Sequence, residues 1–196
     1  VLNGNGKIAS SIFNPKRLVK TYPKSMAAKK VRVNSNIGMK SALEDDWGLE
    51  VTRKNGLYFT VSLEDIKQLP KQEIIYDFKC VEGWDQISHW GGVKFSDFID
   101  HYKLQEEAGL NYVSFVTPDE EYYVGIDMPS AMHPQTLLCY EVNGKNLPSE
   151  HGYPLRLIIP VKYGIKNLKR IGSMSFSNNR PPDYWAERGY DYFSGL

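Results

Sequence analysis

The sequence predicts a mixed α+β fold, rich in strands and served by short helices. Three observations predict it. Short apolar or alternating runs recur along the chain at strand length. Asn-Gly turn dipeptides follow two of these runs, at Asn55-Gly56 and Asn143-Gly144. Helical signals are confined to brief stretches with a polar cap before them or a proline after them.

The elements follow in chain order. Residues 1–30 are basic, rich in Lys, Ser and Pro, and weakly patterned, so they read as an extended arm or wrapping segment ahead of one domain over 31–196. Gly48 to Arg53 alternates as a strand, turns at Asn55-Gly56, and returns as Leu57 to Val61. Ser62 with Asp65 is a capping pattern for a short helix to Leu69, stopped by Pro70. Glu73 to Cys80 reads as a buried strand ending at the cysteine, and Ser96 as the cap of a helix from Asp97 to Leu104. Further strands are expected at Tyr112–Val116, Glu121–Ile126, Leu137–Val142, Leu155–Val161 and Arg170–Ser177.

Composition excludes several classes. At 41% hydrophobic and 13% aromatic residues, the 196-residue chain can bury a core and is not of the disordered type. No apolar run nears the ~20 residues of a membrane helix, and no signal-peptide pattern is visible. The net charge of +1 hides strong blocks. Residues 1–43 and 151–182 contain no Asp or Glu, whereas 97–150 hold ten acidic and two basic residues. The acidic stretch is a candidate docking face for a partner. The basic start carries no nucleic-acid motif and few interleaved aromatics, so no nucleic-acid partner is expected.

Two places can carry chemistry. Cys80 stands where an apolar strand meets the polar loop Val81-Glu82-Gly83-Trp84-Asp85, a position for a nucleophile or a soft-metal ligand. Four histidines, His89, His101, His133 and His151, could serve a nucleophile, but sequence pairs none of them with Cys80. The other cysteine, Cys139, lies in an apolar run and reads as core; with no CxxC, structural zinc and iron–sulfur sites are unsupported. The second place is His151-Gly152-Tyr153-Pro154-Leu155-Arg156, leading to Lys162, Lys166, Lys169 and Arg170. This composition suits a phosphate, since Arg gives bidentate contacts and Lys a point charge, or else a solvated basic face. No GxxxxGK[ST] or GxGxxG nucleotide loop is present.

Both places fall within motifs that resemble the sulfite oxidase-type molybdopterin-binding fold. The motifs are Phe78-Lys79-Cys80-Val81-Glu82-Gly83-Trp84, Trp90-Gly91-Gly92-Val93, Tyr112 to Thr117, His151 to Arg156 leading into Lys162-Tyr163-Gly164-Ile165-Lys166, and Arg180-Pro181-Pro182-Asp183-Tyr184-Trp185. Cys-Val-Glu-x-Trp and Lys-Tyr-Gly most resemble the bacterial protein-methionine-sulfoxide reductase branch. Sulfite oxidases usually follow the cysteine with a stretch resembling Ala-Gly-Asn-Arg-Arg; Asp85 and Gln86 stand in that region here. His151 departs the other way, because the reductases commonly carry Asn there and sulfite oxidases His.

The resemblance implies a molybdenum enzyme over residues 31–196, with Cys80 as the catalytic metal ligand. Asn34, Ile37, Gly38, Thr117, His151, Arg156, Asn167, Leu168 and Lys169 would bind molybdopterin, the last three closing over its phosphate. It implies reduction of a free or protein-bound sulfoxide, a monomeric catalytic chain, a separate haem-type electron donor in a membrane, and a periplasmic home. The alternatives are a sulfite dehydrogenase and a cofactor-binding or electron-transfer module without turnover.

Overall fold

A computed structural model describes residues 14, 17–33, 35–40 and 46–196. Half of the predicted arm (1–13, 15 and 16), and the predicted pterin contact Asn34, lie outside the described residues. Among the described residues no helix is long and apolar enough to cross a membrane.

In chain order the elements are β1 (Gly48–Thr52), β2 (Tyr58–Ser62), α1 (Leu63–Lys67), β3 (Lys71–Lys79), β4 (Asp85–Lys94), α2 (Phe95–His101) and α3 (Gln105–Ala108). They continue as β5 (Tyr112–Val116), β6 (Tyr123–Asp127), α4 (Met128–Ala131), β7 (Leu137–Val142), β8 (Lys145–Asn146), β9 (Arg156–Ile158) and β10 (Ser173–Ser177). One sheet runs β2-β1-β10-β5-β6, with β1 parallel to β10 and the other pairs antiparallel. The other runs β3-β4-β7, with β8 and β9 both paired to β7.

The hairpin expected at Asn55-Gly56 forms: Asn55 Oδ1 accepts the Leu57 N–H at 3.0 Å, and Gly56 takes a φ of +82° that favours glycine. Ser62 caps α1 as expected, its hydroxyl accepting the Asp65 N–H at 3.1 Å. Four expectations change. Helix α2 starts earlier, behind Lys94, and has no side-chain cap; the Ser96 hydroxyl meets its neighbour Asp97 instead. The strand expected over Leu155–Val161 shortens to β9, because the Ile159 N–H donates to Asn167 Oδ1 at 2.7 Å and Pro160 follows. Strands β6 and β10 start later than predicted, each after a residue of positive φ, Glu120 and Arg170. β4 was not predicted, since His89-Trp90-Gly91-Gly92 lacks a two-residue apolar period.

Those glycines are the condition for the second sheet. A Cβ on Gly92 would lie 2.2 Å from the Leu138 carbonyl oxygen and 2.6 Å from Cys139 Cα on β7. The register between β4 and β7 slips by one residue at this point, so the sheet bends. Its two faces thereby feed two cores. Val93, Leu138 and Tyr140 join Leu49, Val51, Phe98 and Phe115 in one. Ile74, Tyr76, Phe78, Trp90, Cys139 and Ile158 form the other. Cys139 is buried as expected, and both cysteines are free thiols. Residues 17–33 lie along β3 and β4: Thr21 bridges Tyr76, and the Ala28 N–H donates to the Ile87 carbonyl at 2.9 Å.

Gly92→Ala should therefore destabilise the protein by about 1–3 kcal/mol or more, as overpacking against backbone does. Urea denaturation followed by tryptophan fluorescence measures it, and an unchanged midpoint would contradict this account of the bend.

Candidate active site

Strand β3 delivers Cys80 to a tight turn. The Cys80 N–H donates to the Trp84 carbonyl at 2.9 Å, and the Gly83 N–H donates back to the Cys80 carbonyl at 3.1 Å, with Gly83 at a φ of +85°. The cysteine backbone is thus held on both sides. Its Sγ lies 3.7 Å from Glu82 Oε2, which also accepts the Trp84 Nε1–H at 2.9 Å. Trp84 stacks on Phe78, with centroids 6.1 Å apart, and Arg32 covers the indole at 4.6 Å. Burial pushes the Cys80 thiol up from its ordinary value, with backbone hydrogen bonds opposing the shift.

Arg156 opens β9 and points into the same pocket. Its guanidinium is fully buried, 4.5 Å over the Trp90 ring. Its two terminal nitrogens donate to the carbonyls of His151 (3.2 Å) and Asn167 (3.3 Å). Nε is buried with no hydrogen-bond partner, and among the described residues Arg156 makes no ion pair. A buried cation without a counter-charge costs several kcal/mol. Lys169 shares the pocket, and burial, with Arg156 adding repulsion, pulls its pKa down to about 7. The Arg156 guanidinium, with the Lys169 side chain beside it, fits an anionic group.

The remaining walls come from distant segments. A 3-10 turn over Gly164–Lys166 brings Gly164 against Phe78, where a Cβ would meet the ring at 2.9 Å. Lys166, buried, is ion-paired with buried Asp183 and donates to the Gly125 carbonyl at 3.2 Å, tying that turn to β6 and to the C-terminal segment. Tyr122 donates its hydroxyl to the Ile165 carbonyl at 2.6 Å. Trp185 and Tyr190 meet edge-on at 5.2 Å and make an aromatic rim. Opposite, the 35–40 turn supplies Ser35 and Ile37. It is fastened by Lys169 Nζ on the Ser35 carbonyl (3.1 Å) and by Arg170 on the Met39 carbonyl (3.3 Å).

Of the predicted site residues, Cys80, Ile37, Arg156, Asn167 and Lys169 line one pocket. The others stand behind it. Gly38 has a φ of +74° and packs against Thr117, where a Cβ would clash at 2.5 Å. The Thr117 hydroxyl is spent on Asp119 (2.7 Å) and the backbone of Tyr122. His151 is buried and edge-on to Trp90, and it positions Arg156 through its carbonyl. The Leu168 side chain belongs to the main core. Asn167 spends its amide on Ile159 and Tyr163, so it shapes the loop. No site role was read for Glu82, Tyr122, Gly164, Trp185 or Tyr190. Glu82, Gly164 and Trp185 sit in the quoted motifs, while Tyr122 and Tyr190 are brought in by tertiary packing alone. Among the described residues no three His, Cys, Asp or Glu side chains converge on a common point.

A family model described as the oxidoreductase molybdopterin-binding domain matches residues 36–185. The chain belongs to this family. It is 34% identical, over 97% of its own length and 73% of the relative's, to an Azospira oryzae protein provisionally named protein-methionine-sulfoxide reductase subunit YedZ1. It is 33% identical to the protein-methionine-sulfoxide reductase catalytic subunit MsrP of Campylobacter jejuni, over 77% of this chain and 57% of that one. The fold matches the sulfane dehydrogenase SoxCD of Paracoccus pantotrophus with a TM-score of 0.63 at 17% identity, covering 72% of this chain and 41% of that one. The predicted α+β, sulfite oxidase-type molybdopterin-binding fold is the observed one, and the chain is an oxidoreductase domain.

Burial, and after it the cations Arg156 and Lys169, lower the His151 pKa from 6.5 to about 4. The unfolded chain then binds the extra proton first, so this residue's contribution to stability falls as pH drops from 6.5 to 4. In His151→Asn, stability should decline less over that window than in wild type. Urea midpoints measured across the window test this, and parallel declines would contradict it.

Proposed function

We propose that residues 31–196 form the catalytic domain of a molybdenum–molybdopterin enzyme that reduces sulfoxides, methionine sulfoxide or a close analogue, to thioethers. The observation that carries this reading is the meeting, in one pocket, of a lone cysteine thiol with a buried guanidinium lacking a carboxylate partner. When bound, the cofactor supplies two-electron oxygen-atom transfer chemistry. The net reaction takes one S=O group, two electrons and two protons to one thioether and one water.

The chain's own residues divide the remaining work. Cys80 would hold the metal as thiolate, and since burial raises its thiol pKa, metal binding would release that proton. Arg156 and Lys169 hold the cofactor's phosphate, with His151, Asn167 and Leu168 shaping the loop around it. Ile37 borders the pterin, and Gly38 and Thr117 set the turn that carries Ile37. Trp185 and Tyr190 offer the substrate an apolar, π-rich rim, suited to a thioether sulfur and its methyl group. Acidic Glu82, 3.7 Å from Sγ, disfavours an anionic substrate such as sulfite. Electrons come from a separate haem-type donor held in a membrane, and the protein works in the periplasm.

His151, of the sulfite-oxidase type, favours the second reading, a sulfite dehydrogenase. Protein produced in a host that makes the cofactor should reduce methionine sulfoxide with reduced benzyl viologen as donor and leave sulfite unoxidised. Turnover of sulfite alone would reverse the assignment. Cys80→Ser should fold normally, lose at least ~100-fold in kcat and change the molybdenum(V) EPR signal, because the soft ligand is exchanged for a hard one. Wild-type activity and an unaltered signal in that variant would refute Cys80 as the ligand.

A further inference from the structure

Residues 17–33 do more than cover an edge. The segment is anchored at one end by Val19 on Gln135, the Val19 N–H donating to Gln135 Oε1 at 2.8 Å. The Tyr22 N–H then donates to the Ile75 carbonyl on the free edge of β3, at 2.9 Å. By Ala28 the chain has reached β4, where it donates to Ile87, and Asn143 Nδ2 donates to the Ala28 carbonyl at 3.0 Å. The Arg32 N–H ends the strap on Gln86 Oε1 at 2.8 Å. Its backbone is therefore fixed to the sheet, Val19 and Val31 pack inward, and its basic side chains are left exposed.

The strap gathers six basic side chains into one short segment. Arg17, Lys20, Lys24, Lys29, Lys30 and Arg32 are all exposed, and among the described residues none of the six makes an ion pair. Elsewhere Lys40, Lys54, Lys67, Lys71, Lys79, Lys162 and Lys166 each have an acidic partner, while exposed Lys103, Lys145, Arg180 and Arg188 make no ion pair among the described residues but stand scattered along the chain. The strap contains no Asp or Glu. Between its cations stand Leu18, Met26 and Val33, exposed at 60%, 51% and 39%.

We propose that this strap is a docking surface for an anionic lipid bilayer. Uncompensated cations match the charge of acidic headgroups, and the interspersed apolar side chains can enter the interface between headgroups and acyl chains. The strap's charges and exposed apolar groups run along an extended segment. Its far end leads to Ser35 and Ile37, which line the Cys80 pocket, so docking sets that pocket beside the lipid surface.

The test is vesicle flotation of the whole chain, which needs neither molybdenum nor turnover and so stands or falls apart from the sulfoxide reading. The protein should float with phosphatidylglycerol–phosphatidylcholine vesicles at low salt, stay behind with pure phosphatidylcholine, and be released by raised salt. The variant Lys24→Glu/Lys29→Glu/Lys30→Glu should partition at least ~100-fold more weakly, at roughly fivefold for each basic residue near the surface. Its thermal denaturation should match wild type, since these three side chains are exposed and unpaired. Equal partition into both vesicle types would overturn the proposal. So would salt-insensitive binding, or a folded triple variant that floats like wild type. Capture by an acidic protein with no vesicle binding would overturn it too.

Discussion

The site is organised around a charge that the protein buries without neutralising. Arg156 sits at the start of β9 with its guanidinium on the Trp90 ring and its donors on two backbone carbonyls. Burying an ion costs several kcal/mol, and neutral carbonyls with a cation–π contact of about 2 kcal/mol offset only part of it. The remainder is binding free energy held in reserve for an anion. Lys169 beside it is drawn down to about 7, first by burial and second by the Arg156 charge.

Much of the surrounding chain can be understood as what this burial requires. The His151 and Asn167 carbonyls must be aimed at one guanidinium, so the segments carrying them are bent sharply. Gly152, at a φ of +97°, lets its loop pass against the backbone of Lys169 and Arg170. Asn167 uses its own amide to hold the loop that presents its carbonyl. The Lys166–Asp183 pair fastens the same loop to the C-terminal segment, and that segment carries Trp185 and Tyr190 to the rim. Cys80 reaches the pocket independently, on the β3–β4 turn. The cofactor cradle and the substrate rim thus share one scaffold, which fits chemistry that has to align a substrate oxygen with a metal.

How far the sequence revealed this depends on how local each signal is. Cys80 was legible because strand, turn glycine and cysteine are consecutive. The hairpin at Asn55-Gly56 and the cap at Ser62 were legible for the same reason. β4 was hidden, since its glycines, which normally argue against a strand, are demanded by the close approach of β7 at Leu138 and Cys139. The acid-free run over 151–182 pointed to an anion site but not to the division within it. Only the fold separates Arg156 and Lys169, which face the pocket, from Lys162 and Lys166, which are spent on Asp127 and Asp183. Tyr122 and Tyr190 have no local signature at all. The basic segment over 1–30 read as an extended arm or wrapping segment, but not what it wraps, because its hydrogen bonds go to residues more than fifty positions away.

The central claim is that the buried guanidinium retains the cofactor. The most direct measurement is molybdenum per chain in wild type and in Arg156→Ala, both produced in a cofactor-making host and checked for folding by circular dichroism. The account predicts near-stoichiometric metal in wild type and at least ~10-fold less in the variant, the loss of a charge-assisted contact of about 1.5–3 kcal/mol. Equal molybdenum in two equally folded proteins would contradict it.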